Sequence, residues 1–299
     1  MRPLLGDDRR HAAKGRSDVG GIVLFALTAA SALVWLSSAG HRFAWGSPTS
    51  VALVSASVVF AVALVAVERR AERPFLPFEL LALPAVRYAV LTVVAFASAM
   101  FAMIFYLPVY LQLALNSNPA ESGLLLLPLT GGIVVGAAIT GRVIARSGRP
   151  RLLPTVSLSL AAASLLGLAW LPASRPLLIG LEITTGIGLG GVMSVMQIVT
   201  QSAAGSQRLG AAAATVSLAR TFGSSIGAAA FGALIYGLIG GAPVIAAART
   251  AVEDARIGRA FDIAFLAAAG LCLAAAWAAS RVPTLRFDRE QAVEAPAVD

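Results

Sequence analysis

The sequence predicts an all-α integral membrane protein with about eight transmembrane helices, and three observations carry that reading. Hydrophobic residues make up 58% of the 299 residues and charged ones only 13%, with a mean hydropathy of +0.82. That is more apolar side chain than a soluble domain of this size needs for its core. The apolar residues fall into eight runs, each near the roughly 20 residues that let a helix cross the hydrocarbon layer with its backbone satisfied internally. Lysine and arginine collect in alternate gaps between those runs, as the positive-inside rule requires.

Val19 to Ser38 is the first run and Pro48 to Val67 the second, separated by Trp45-Gly46-Ser47-Pro48, where glycine and proline stop one helix and start the next. Residues 68–87 carry Pro74, Pro77 and Pro84 among charges and read as a linker between a two-helix unit, 19–67, and a six-helix unit, 88–281. The third run, Tyr88 to Leu113, ends at Asn116-Ser117-Asn118-Pro119. In the fourth, Gly123 to Ile144, Gly132 and Gly136 lie four apart on one face, where a neighbouring helix can approach closely. Leu152 to Leu171 is the fifth, closed by Pro172 to Pro176, and Leu177 to Val199 is the sixth. Ala211 to Leu238 is the seventh and Ala260 to Ser280 the eighth. The connector from Gly240 to Arg259 contains AAARTAVEDARIGRA, a candidate short surface helix. The polar tail, 282–299, is expected to be disordered.

Orientation follows from charge. Of the 23 lysines and arginines, seventeen fall on the side of both chain ends, five (Arg42, Arg175, Arg249, Arg256 and Arg259) on the other, and Arg220 inside a span. This predicts a multi-pass protein of the cell membrane with both termini cytoplasmic, residues 1–18 forming a cytoplasmic N-terminal segment.

The net charge of +8 does not indicate nucleic acid, because the basic residues sit in short clusters between apolar runs. One cysteine, Cys272, excludes an intrachain disulfide, and with two histidines there is little material for a metal site. Lys14 is the only lysine and stands in no P-loop, and Gly186-Ile187-Gly188-Leu189-Gly190-Gly191 lacks dinucleotide-loop spacing. No cofactor is expected. No HExxH, GxSxG or paired intramembrane aspartates appear, so the chain does not read as an enzyme.

Four stretches resemble a known family: VERRAERPFLPFELL after the second span, FYLPVYLQLALNSNPAESGLLLLPL across the third and fourth, GRVIARSGRPR, and LARTFGSSIGAAAFGAL in the seventh. Together they resemble the C-terminal portion of a major facilitator transporter of the fourteen-span drug:proton antiporter branch (QacA/EmrB type). The resemblance implies two six-helix halves around a central cavity, with two helices inserted between them. Spans one and two would be the inserted pair and 88–281 the C-terminal half-bundle. The first half has no counterpart in this sequence and would be a missing partner, or an upstream piece if Met1 is not the true start. The family loop G-x-x-x-D-R-x-G-R, a gating motif, is matched by Gly141, Arg146, Gly148 and Arg149, with Ala145 where the acid is expected.

The implied function is proton-coupled efflux of amphipathic or cationic small molecules; the alternative is a transport-inactive membrane scaffold or partner subunit. Charges inside a bilayer are expensive and therefore mark function. That singles out Arg220, with Gly223 and Gly227 expected on its face as helix-packing positions, and Glu182, a candidate for exchanging protons or attracting a cationic substrate. The family geometry would let the third, fourth, sixth and seventh spans line the cavity, so Tyr106, Tyr110 and Gln197 are further candidates for the substrate or proton pathway.

Overall fold

In a computed structural model, the structure describes residues 19–38, 42–44, 46–68, 78–114, 117–147, 152–171, 174–239 and 251–283. The predicted N-terminal segment (1–18), the tail beyond residue 283, and Gly148 and Arg149 of the loop motif lie outside the described residues. The described residues fold into helices α1 (Val19–Ser38), α2 (Pro48–Glu68), α3 (Phe78–Ala82), α4 (Pro84–Ala114), α5 (Pro119–Leu124), α6 (Leu127–Ser147), α7 (Leu153–Trp170), α8 (Arg175–Gly190), α9 (Val192–Ala204), α10 (Leu209–Ile239) and α11 (Ala251–Ser280). Among them no extended sheet is present, which bears out the all-α class.

Seven segments among the described residues are long and apolar enough to cross a membrane: Pro48–Val67, Pro84–Leu113, Pro119–Arg146, Leu153–Trp170, Arg175–Ala204, Leu209–Ile239 and Ala255–Ser280. The eighth expected span, α1, has its predicted bounds, Val19–Ser38, and carries no charged residue over its 20 residues. α1 forms an antiparallel hairpin with α2, fastened where Trp35 Nε1 donates to Ser50 Oγ across 2.7 Å. Most of α2 faces outward, with Val58, Val59 and Val62 exposed as a lipid-facing helix requires.

Several boundaries differ from the sequence expectation. The linker 68–87 already holds α3 and the first turn of α4, because Pro84 suits a helix start, where no backbone donor is needed. The fourth span is two helices. α5 is capped by Asn118, whose Oδ1 accepts the Glu121 N–H at 2.7 Å, and a turn at Leu125 and Leu126 precedes α6. The sixth span is also two, interrupted at Gly191 between α8 and α9. The connector read as a separate surface helix is instead continuous with the last span over Ala251–Ser280: Ala251 to Ala260 contains no proline, and its one glycine, Gly258, is tolerated mid-helix.

The six-helix unit is a wall of paired helices. α6 packs on α8, α8 on α7, α7 on α11, α11 on α4, and α4 on α10, while α9 touches both α4 and α10. α11 shows why small residues matter here. Ile257, Phe261, Ala264, Ala268, Cys272, Ala275 and Ala279 recur at three- and four-residue spacing and are all buried, a stripe thin enough for α4 and α7 to close on it. Tyr110 of α4 sits over it, 5.3 Å from the Phe261 ring and 5.1 Å from Phe265. At the other end of α4, Tyr88 meets Trp277 edge-on at 6.4 Å, flanked by Arg87 over Tyr88 and Arg281 over Trp277. Aromatic rings beside arginines are what an interfacial belt contains.

Candidate functional site

Two helix pairs frame the site, each joined where glycine lets backbones touch. In the α6–α8 pair, a Cβ at Gly132 would stand 2.5 Å from the Ile183 carbonyl oxygen, and one at Gly136 would overlap the Ile187 backbone. α8 answers with its own glycines, since a Cβ at Gly186 would strike Leu129 and Gly132, and one at Gly190 the backbone of Ile133. Gly188 faces Ser157 and Ala161 of α7, so α8 is held on two sides. In the α4–α10 pair, Gly223 lies against Val94 and Gly227 against Ser98. The Ser98 hydroxyl reaches across this crossing to the Gly223 carbonyl at 2.8 Å, and Tyr106 OH donates to the Ala228 carbonyl at 2.7 Å.

The predicted site residues do not converge on one point. Arg220 is exposed and does not join the Gly223 and Gly227 stripe. At 100° per residue the packed row runs through Val216, Ala219, Gly223 and Gly227, all buried, and leaves Arg220 beside it. Its helix neighbours Ser217 and Thr221 are exposed as well, though Thr221 returns its hydroxyl to the Ser217 carbonyl at 3.0 Å. Gln197 of α9 is half-buried with Ser194 and Gln201 at i−3 and i+4. Neither Gln197 nor Arg220 makes a side-chain hydrogen bond or ion pair among the described residues. Tyr106 is half-buried toward α10, whereas Tyr110 is buried toward α11. Of the loop motif, Gly141 and Arg146 are both exposed on the last two turns of α6.

Glu182 is the unusual member. It is 0% exposed, and neither carboxyl oxygen has a hydrogen-bond partner among the described residues. Thr185, at i+3 on α8, is equally enclosed with its hydroxyl unpartnered. Sequence reasoning found Glu182 from its charge but missed Thr185, whose only signal was the i+3 spacing. A shallow crevice lined by Tyr110, Gly167, Leu168, Leu171, Leu178 and Leu181 reaches the turn of α8 before Glu182. At this end of the bundle Arg175 pairs with Glu121 at 3.1 Å and Gln112 donates to Ser122 at 3.0 Å. Among the described residues there is no group of three or more histidine, cysteine or acidic side chains placed to hold a metal.

Comparison with known proteins agrees with this architecture. An uncharacterized MFS-type transporter of Mycobacterium tuberculosis is 31% identical over 226 residues, covering 73% of this chain and 32% of the relative. The tetracenomycin C resistance and export protein of Streptomyces glaucescens is 32% identical over 243 residues, 79% of this chain and 44% of that protein. The chain thus spans a third to under half the length of these curated relatives. A crystal structure of a bacterial homolog to the human lysosomal transporter Spinster, inward-facing and unoccupied, matches 88% of this chain and 66% of that chain with a TM-score of 0.52. At 18% identity that likeness speaks for the fold alone. The Major Facilitator Superfamily model matches residues 4–228, three quarters of the chain. A multi-pass membrane protein by its spans, the chain belongs to the Major Facilitator Superfamily, a family of transporters rather than enzymes.

Proposed function

We propose that this chain supplies the C-terminal half, with an inserted helix pair, of a fourteen-span transporter that exports amphipathic or cationic compounds in exchange for protons across the cell membrane. The observation that carries the reading is the open polar surface of α9 and α10. Arg220, Gln197 and Gln201 lie uncovered or half-covered in otherwise apolar spans. The hydroxyls of Thr221, Ser224 and Ser225 are satisfied by their own helix and tolerate lipid. A guanidinium and two amides are not so satisfied, and facing hydrocarbon costs them several kcal/mol. A water-filled cavity closed by a second six-helix half removes that cost, and amide groups beside the half-buried Met193 would suit an amphipathic guest. The tetracenomycin relative's role in resistance and export supports a drug-like substrate class.

In this reading both chain ends and the α6–α7 loop are cytoplasmic, and the transport cycle rocks this half against its partner. The test is dye efflux from a drug-sensitive host. The chain alone should not export a cationic dye; co-expressed with a matching six-helix half it should, and a protonophore should abolish the efflux. Export by the chain alone would refute the half-transporter reading. Export that ignores the protonophore would refute antiport, and stable association with no export under any condition would identify a scaffold.

A further inference from the structure

The geometry points to Glu182 and Thr185 as an occluded proton-binding site inside the half-bundle, separate from the drug cavity and loaded through the crevice between α4, α7 and the start of α8. The inference rests on the antiport reading for its role in transport, and narrows the choice between proton and drug at this carboxyl.

Size and partners decide the ligand. A drug-sized cation needs a pocket of about 300–1,000 Å³, yet Glu182 and Thr185 are both 0% exposed. An alkali or divalent ion needs a shell of several oxygens, and here the side chains offer one carboxyl and one hydroxyl while the surrounding backbone is helical. A proton needs only the carboxylate itself. On binding, hydronium in the outer water gives its proton to a Glu182 oxygen, leaving water and a neutral carboxyl able to donate one hydrogen bond; release is the reverse.

The surroundings leave that carboxyl without competition. α6 contributes no titratable or charged side chain from Leu127 to Gly141, nor does α7 from Leu153 to Trp170. α4 contributes Tyr106 and Tyr110, the first engaged with Ala228 and the second ringed by Phe261 and Phe265. From α11 come Asp262, next in sequence to Phe261 and half-buried, and the exposed Arg256 and Arg259, on a helix that packs on α4 and α7 rather than on α8. α9 and α10 carry Arg220 as their one charge between Val192 and Ile239 apart from Arg208 at the turn between them. The path is equally specific, because Leu178 and Leu181 precede Glu182 by four and one residues on α8 and both line the crevice, whose rim includes Leu171 and Leu177 at the α7–α8 turn.

The test uses the full chain in sealed membrane vesicles with pH set independently on the two sides. Dicyclohexylcarbodiimide, an apolar reagent that adds to protonated carboxyls, is expected to modify Glu182, read by peptide mass spectrometry. Labelling should rise as pH falls on the side bearing the α7–α8 turn and ignore pH on the other; Glu182→Gln should lose it. In Leu177→Cys, a membrane-impermeant bulky maleimide should slow the labelling, with no interference from Cys272, which is buried. Labelling that follows the opposite side, an unreactive Glu182 at every pH, equal reaction with a water-soluble carbodiimide, or indifference to the maleimide would each overturn the site. In vesicles that also hold the matching six-helix half, proton-driven efflux that survives Glu182→Gln removes this site and leaves antiport standing. Labelling as expected together with efflux blind to the proton gradient does the converse.

Discussion

The hydroxyl of Tyr106 donates to the backbone carbonyl of Ala228 across 2.7 Å, and one turn further along α10 Gly232 leaves the space in which that hydroxyl sits. A Cβ at Gly232 would overlap the phenol oxygen. The two positions should therefore be coupled. Tyr106→Phe is expected to cost about 0.6–1 kcal/mol, the worth of one interhelical hydrogen bond. Gly232→Ala should cost more in the native background than in combination with Tyr106→Phe, where the obstructing oxygen is gone. A double-mutant cycle on unfolding in mixed detergent micelles reads the difference, and simple additivity would show that the α4–α10 crossing does not depend on this fit.

Gly131 and Gly132 give a sharper contrast, being adjacent in sequence and opposite in setting. Nothing lies within 4 Å of a Cβ added to Gly131, whereas at Gly132 the Ile183 carbonyl stands at 2.5 Å and the Gly186 Cα at 3.1 Å. Backbone cannot swing aside as a side-chain end can, so Gly132→Ala is expected to lose about 1–3 kcal/mol or more by overpacking. Gly131→Ala should be neutral or slightly stabilising. The yield of monodisperse protein and its thermal midpoint in detergent check both; equal effects would mean α6 and α8 do not cross where described.

These pairs mark how far apolar length and residue spacing can be read, and where they stop. Apolar length alone located the seven membrane-length segments and α1, because a bilayer admits little else. Spacing of four placed Gly132 with Gly136 and Gly223 with Gly227. The breaks at Leu125–Leu126 and at Gly191 were hidden, since apolar runs read the same whether one helix or two. Arg220 was assigned to the glycine face because Gly223 and Gly227 follow it at i+3 and i+7; in the structure Ala219 is the residue buried in that row, and Arg220 stays exposed at its edge. Glu182 was legible as a charge in a span, but its complete enclosure depends on neighbours from other helices and on Thr185, whose type carries no signal of its own.

The α5–α6 segment offers a direct test of sidedness. Asn118 caps α5 at one end and Ser147 closes α6 at the other, and Pro119–Arg146 is 28 residues, enough to cross at about 1.5 Å per residue. Compartment-sensitive reporters fused at Asn118 and at Ser147 should report opposite sides, with Ser147 cytoplasmic. The same compartment for both would break the threading on which the basic-loop argument depends.

Ala219 and Arg220 separate packing from transport within a single peptide bond. Ala219 is 7% exposed in the row that meets α4, and Arg220 is exposed with no described partner. Enlarging the first, Ala219→Leu, should destabilise by about 1–3 kcal/mol through overpacking and lower the thermal midpoint. Removing the charge of the second, Arg220→Gln, should leave stability within about 0.5 kcal/mol, because no contact is lost. In the proposed assembly with a second half, efflux of a cationic dye should fall while expression and folding remain normal. A variant that unfolds would place Arg220 in the packing, and one that exports at the native rate would leave this guanidinium with no part in the pathway.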